Sequence, residues 1–163
     1  VTEQELVSWL HERLPEDAAD FLRRVARLVR LADDLVDGDI EPLARPQAMS
    51  TIAYCFLLDL PSSAFYNRWQ AALAPLLATC FATWAHTDEA KLSKSETLRI
   101  WGFVWRDSID FMLYQTALLA VGPLRAREII AEWLVIEHGG DAETFCEWEQ
   151  SADGPLRQAS EAA

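Results

Sequence analysis

Thr97-Leu-Arg-Ile-Trp-Gly-Phe-Val-Trp-Arg-Asp-Ser-Ile-Asp-Phe-Met-Leu-Tyr-Gln-Thr-Ala-Leu-Leu-Ala-Val-Gly122 is a run in which apolar side chains recur without leaving any side polar. Leu98, Ile100, Trp101, Phe103, Val104, Trp105, Ile109, Phe111, Met112, Leu113, Leu118, Leu119 and Val121 cover the full circumference of a helix, the mark of one buried on all sides. The run has the length of a membrane span. Arg106, Asp107 and Asp110 stand in its middle, however, and each costs roughly 2.5–3.5 kcal/mol to insert into a bilayer. The expectation is therefore no membrane span but a soluble all-α domain, six to seven helices over residues 1–150 around a buried central helix at about 97–121.

Asp107, Asp110 and Tyr114 lie on one face of that helix. Carboxylates are rare in a core unless paired or bound to metal. The plainer reading pairs Arg106 with Asp110 at four-residue spacing. The functional reading has Asp107 and Asp110 facing a second acidic wall across a cleft, with Trp101 and Trp105, also four apart, lining a cavity.

On the C-terminal side, Pro123 starts a helix carrying Ile129, Ile130, Trp133, Leu134 and Ile136 and ending at Gly139-Gly140. A short segment, Ala142 to Glu149, packs Phe145 and Trp148, and a flexible tail is expected over residues 151–163. On the N-terminal side, His86 to Ser95 reads as a polar loop. Before it, a helix after Ser62 or Ser63 contains Pro75 and should kink there. Pro46 to Leu60 is an apolar helix with Met49, Ile52, Ala53, Phe56, Leu57 and Leu60 on one face, closed by Pro61. Pro15 opens a longer helix whose stripe is Ala18, Phe21, Leu22, Val25, Leu28, Val29, Ala32 and Val36. Thr2 and Glu5 have capping-box spacing for the first helix. No strand signal, glycine-rich phosphate loop or internal repeat interrupts this order.

The stripe from Ala18 to Val36 runs into Leu31-Ala-Asp-Asp-Leu-Val-Asp-Gly-Asp39, four carboxylates within seven residues. Asp33 and Asp37 are four apart and stack on one face, Asp33 on the shoulder of the apolar stripe and Asp34 turned about 100° away. Acids at a helix C-terminus also oppose the macrodipole. A local rule broken without local gain marks a candidate functional site. A hard divalent cation with oxygen ligands, Mg²⁺ before Ca²⁺, is the natural compensator. The plainer alternative is a solvated cluster paired to Arg30 and closed by Gly38.

At 163 residues the chain is long enough to bury a core, and 51% hydrophobic with 25% charged residues is a globular composition. Its formal net charge of -12 leaves no basic footprint for nucleic acid. Cys55, Cys80 and Cys146 are odd in number and read as buried thiols in a reducing compartment. Val1-Thr-Glu-Gln-Glu shows no signal peptide, so a cytoplasmic location is expected. His11, His86 and His138 have no ligand spacing, and no catalytic residue can be assigned.

Asp33-Asp34-Leu-Val-Asp37 resembles the Asp-Asp-x-x-Asp signature of class I isoprenoid synthases, and Arg30-Leu-Ala-Asp-Asp-Leu-Val-Asp-Gly looks like the first aspartate-rich helix of the squalene and phytoene synthase branch. That resemblance implies Asp33, Asp34 and Asp37 as Mg²⁺ ligands and a diphosphate-bearing small molecule as partner. Asp107 and Asp110 then stand in for the family's second metal motif, with Arg30, Trp101, Trp105 and Tyr114 toward the ligand. A longer likeness, over roughly residues 20 to 140, is to small helical proteins of tailed bacteriophages and prophages, through the Asp-Asp-x-x-Asp-Gly-Asp turn and Leu60-Pro-Ser-Ser-Ala-Phe65-Tyr66. It implies a non-catalytic accessory or assembly protein with a phage protein partner.

Overall fold

The computed structural model describes residues 2–138 and 144–150. All regular structure among them is helical, as expected. Thr2 caps α1 (Glu3–Arg13) through the reciprocal pair read from the sequence: its hydroxyl accepts the Glu5 N–H at 3.3 Å, and the Glu5 carboxylate accepts the Thr2 N–H at 2.8 Å. α2 (Glu16–Asp37) follows Pro15, with Glu16 and Asp17 at its positive end. Its buried stripe is Ala18, Ala19, Phe21, Leu22, Val25 and Leu28. The stripe was expected to reach Val36, which is instead 59% exposed, so the acidic last turns of α2 rise out of the core.

α3 (Arg45–Ser62) runs two residues further than expected, through Pro61. The backbone accommodates that proline by widening to a π-turn over Cys55–Asp59, in which the Leu60 N–H reaches the Cys55 carbonyl. A proline ring presses on the carbonyl four residues back and offers no N–H, and a widened turn relieves both. The π-turn also corrects the expected apolar face. Ala48 and Cys55, seven apart, share a side; five residues later Leu60 falls beneath Cys55, and these three are buried. Met49, Phe56 and Leu57 point outward, Leu57 at 72% exposure.

Ser63 separates α3 from α4 (Ala64–Ala85), its hydroxyl accepting the Tyr66 N–H at 3.3 Å. The irregularity in α4 falls at Trp69 (φ -117, ψ 18), not at Pro75. The expected polar loop contains the short α5 (Thr87–Lys91). The remaining helices are α6 (Glu96–Trp105), α7 (Asp110–Val121), α8 (Pro123–His138) and α9 (Phe145–Gln150). The C-terminal tail and the Gly139-Gly140 terminus lie outside the described residues.

Two compact units share the chain. One comprises Val1–Leu73 and Gln115–Ala126, the other Ala74–Tyr114 and Arg127–Ala163. In the first, Phe21 packs against Phe65 and Tyr66, both at 5.8 Å between ring centroids. In the second, Trp148 of α9 meets Phe103 at 5.7 Å, and Arg99 of α6 binds Glu149. Gly102 is required here: a Cβ at that position would stand 2.7 Å from the Ala90 Cβ.

The single central helix expected over 97–121 is two helices, parted by a turn at Arg106-Asp107-Ser108-Ile109. Ser108 explains the break. Its hydroxyl donates to the Cys80 carbonyl at 3.1 Å and accepts from the Thr83 hydroxyl at 3.0 Å, while its own carbonyl accepts the Cys80 thiol at 3.1 Å. These bonds fix Ser108 in a buried turn that the apolar run alone does not reveal. Nor is the run buried all round, since Leu98, Ile100, Trp101, Val104 and Phe111 are exposed. Cys55 and Cys80 are buried as expected and Cys146 is exposed, a correction for the third thiol. Burial pushes the Cys80 thiol up to about 11. Among the described residues no single helix is long and apolar enough to cross a membrane.

Candidate functional site

The last turns of α2 assemble the acidic cluster. Gly38 ends the helix at φ 83, the left-handed geometry that a glycine takes without penalty. No basic residue occupies the last turn. Arg30 reaches Asp34, Nε to Oδ1 at 3.0 Å, with its own side chain 75% exposed, so the pairing named as the plainer reading does form for one of the acids. Asp33 stands apart. Burial raises its pKa, Asp37 raises it further, Arg30 draws it down, and Asp34 and Asp39 raise it again; the net displacement is upward. The stacking of Asp33 and Asp37 read from the sequence is thus felt as an electrostatic cost at Asp33.

At the other end of α2, sequence reasoning missed a different constellation. Asp20 accepts from Arg23 at 2.7 Å and from Arg24 Nε at 2.8 Å. Arg24 Nη1 then crosses to the end of α3, where it donates to the Asp59 carboxylate, to the Asp59 carbonyl at 2.8 Å and to the Ser62 hydroxyl at 2.8 Å. This is a clamp between helices. An amphipathic pattern marks Arg24 only as lying off the apolar stripe.

Asp107 and Asp110 belong to the second unit, whereas Asp33, Asp34 and Asp37 belong to the first. Arg106 Nε donates to its neighbour Asp107 at 3.3 Å, and the Trp133 indole donates to Asp110 at 2.8 Å. Because the helix breaks at 106–109, the four-residue spacing of Arg106 and Asp110 is no longer a helical repeat. Asp107, Asp110 and Tyr114 line a cleft of about 620 Å³ in this unit. Trp101 and Trp105 do not line it; they pack on each other with ring centroids 6.1 Å apart, and Trp101 is 51% exposed. Phe103 and Val104 of α6 line it instead.

Among the described residues no group of three or more His, Cys, Asp or Glu side chains is gathered as a ready-made ion cage. No protein-family model, curated protein or solved structure matches this chain. A functional reading therefore rests on the chain's own residues.

Proposed function

We propose that the acidic end of α2 takes a divalent cation, Mg²⁺ first, and through it a diphosphate-bearing small molecule, with Asp33, Asp34 and Asp37 as the carboxylates. The observation that carries the reading is the upward displacement of Asp33, a half-buried carboxyl crowded by Asp37. Such a site gains from a cation at the position where a proton would otherwise go. The donor set fits the ion: Mg²⁺ prefers hard oxygen, keeps several waters, and binds through one or two carboxylates together with substrate phosphates. A cage of protein ligands is not required of a site whose phosphate arrives with the metal. The Asp-Asp-x-x-Asp spacing read as isoprenoid-synthase-like agrees with this chemistry.

Thermal unfolding of the metal-stripped protein tests the reading. Mg²⁺ with inorganic pyrophosphate should raise Tm beyond either alone, since saturation at about a hundred times Kd stabilises the native state by about 2.7 kcal/mol. The Asp33→Asn, Asp37→Asn double variant should lose that gain. An equal Tm with and without both additives removes the proposal.

A second reading is favoured by a separate observation in the first unit. Met49, Tyr54, Leu57 and Leu58 are exposed on α3, and apolar side chains left exposed along one helix suit a surface that meets a partner. In that reading the chain is a non-catalytic accessory or assembly protein of the phage kind, and the acids serve solubility or a basic partner.

A further inference from the structure

The cleft in the second unit has a chemistry of its own, independent of the metal reading. Its volume, about 620 Å³, falls among those of small-molecule sites. Phe103, Phe111, Tyr114 and Phe145 supply aromatic walls, and Ile130 and Leu134 complete an apolar lining. Among the described residues the charged groups are Arg106, Asp107 and Asp110, which leave one net negative charge in a largely apolar space. An anionic guest would meet two carboxylates against one guanidinium.

The chain's own Arg106 shows what the cleft walls offer a cation, and it already takes the Phe103 face and one Asp107 oxygen. The Arg106 guanidinium lies over the Phe103 ring, 4.2 Å from the centroid, while its Nε bonds Asp107 at 3.3 Å. An aromatic face and a carboxylate together make an ammonium site, the face acting through its quadrupole and the acid through charge. Phe111 and Tyr114 present further aromatic surface in the same space, with Phe111 57% exposed. Asp110 is oriented by the Trp133 indole at 2.8 Å, which holds its carboxylate at the cleft wall.

We infer that this cleft binds a small apolar molecule bearing one ammonium group, the apolar body against the aromatic and aliphatic walls and the cation toward Asp107. Three matched probes test this by isothermal titration of the full chain: phenethylammonium, phenethyl alcohol and phenylacetate. The ammonium should bind about tenfold more tightly than the alcohol, with phenylacetate weakest. Amide chemical shifts should move along residues 103–114. Asp107→Asn should bring the ammonium's affinity down to that of the alcohol and leave the alcohol unchanged. Val104→Trp, which fills the cleft from a half-exposed position, should abolish binding of all three while the circular dichroism stays helical. Phenylacetate binding best, the alcohol matching the ammonium, shifts confined to other residues, or no binding by any probe would each overturn the assignment.

Discussion

Asp20 and Asp33 stand on one helix and their carboxyls are displaced in opposite directions. At Asp20, burial raises the pKa, but hydrogen bonds from Arg23 and Arg24 more than offset it and the net shift is downward. At Asp33, burial raises it and Asp37 adds to that, with Arg30 too little to reverse them. Both are partly shielded acids. What differs is the neighbour: a guanidinium shared between α2 and α3 at one end, further carboxylates at the other. The difference teaches that the first half of α2 uses its acid to hold the fold, while the second half gathers carboxylates that push up the pKa of Asp33.

The strongest way to break this contrast is to remove the clamp. Arg24→Ala should lower stability by about 2 kcal/mol, the scale of lost hydrogen bonds between charged groups, reduced because the Asp20 and Asp59 side chains remain partly solvated. Denaturant titration reads this directly. A loss within about 0.5 kcal/mol, the range of ordinary surface changes, would mean that the two ends of α2 do not differ in kind.

A smaller effect is expected at the helix terminus. Gly38→Ala forces an L side chain into φ 83 and should cost about 1 kcal/mol, measured the same way. An unchanged midpoint would show that the acidic turn does not depend on the left-handed cap.

The finest test is Asp33→Asn, which should stabilise the protein by a few tenths of a kcal/mol at neutral pH by relieving repulsion at four-residue spacing. The sign of its pH dependence sharpens the comparison. A folded-state pKa raised above the unfolded one contributes stability that is present below the unfolded value, about 3.9, and is lost as pH rises through the folded value. The advantage of Asp33→Asn should therefore shrink as pH falls toward that value. Asp20, with its lowered pKa, contributes stability present above about 3.9 and lost as pH falls through its folded value, so Asp20→Asn should be harmful at neutral pH and neutral in acid. Parallel pH profiles for the two variants would refute the opposition.

Legibility in the sequence followed the range of the interactions. The Thr2 and Glu5 cap, the stripe from Ala18 to Leu28 and the glycine stop at Gly38 are local, and spacing alone exposes them. Thr144 and Glu147 form the same reciprocal cap at 2.8 Å and 3.3 Å before α9, a signal present in the sequence as Thr-x-x-Glu and open to the same reasoning. The turn at 106–109 was hidden because Ser108 answers to Cys80 and Thr83, distant in sequence, while its apolar neighbours continue the helical pattern. Arg24 was hidden for the same reason, its partner Asp59 being 35 residues away. Of the candidate site, the carboxylates and their mutual repulsion could be read locally. The cleft could be read only as two acids and a tyrosine on one face, because its aromatic walls come from separate segments.

The π-turn of α3 bears on how this chain tolerates changes in length. Between the two buried anchors Cys55 and Leu60 the backbone spends five residues where an α-helical turn would spend four. Taking one exposed residue out of Phe56-Leu57-Leu58 would let an ordinary turn close with Leu60 still on the buried side, since positions four apart also share a face. Anywhere else in the helix the same deletion would rotate every following side chain by about 100°. The turn is thus the place in α3 where a residue can be lost while both anchors keep their bearings.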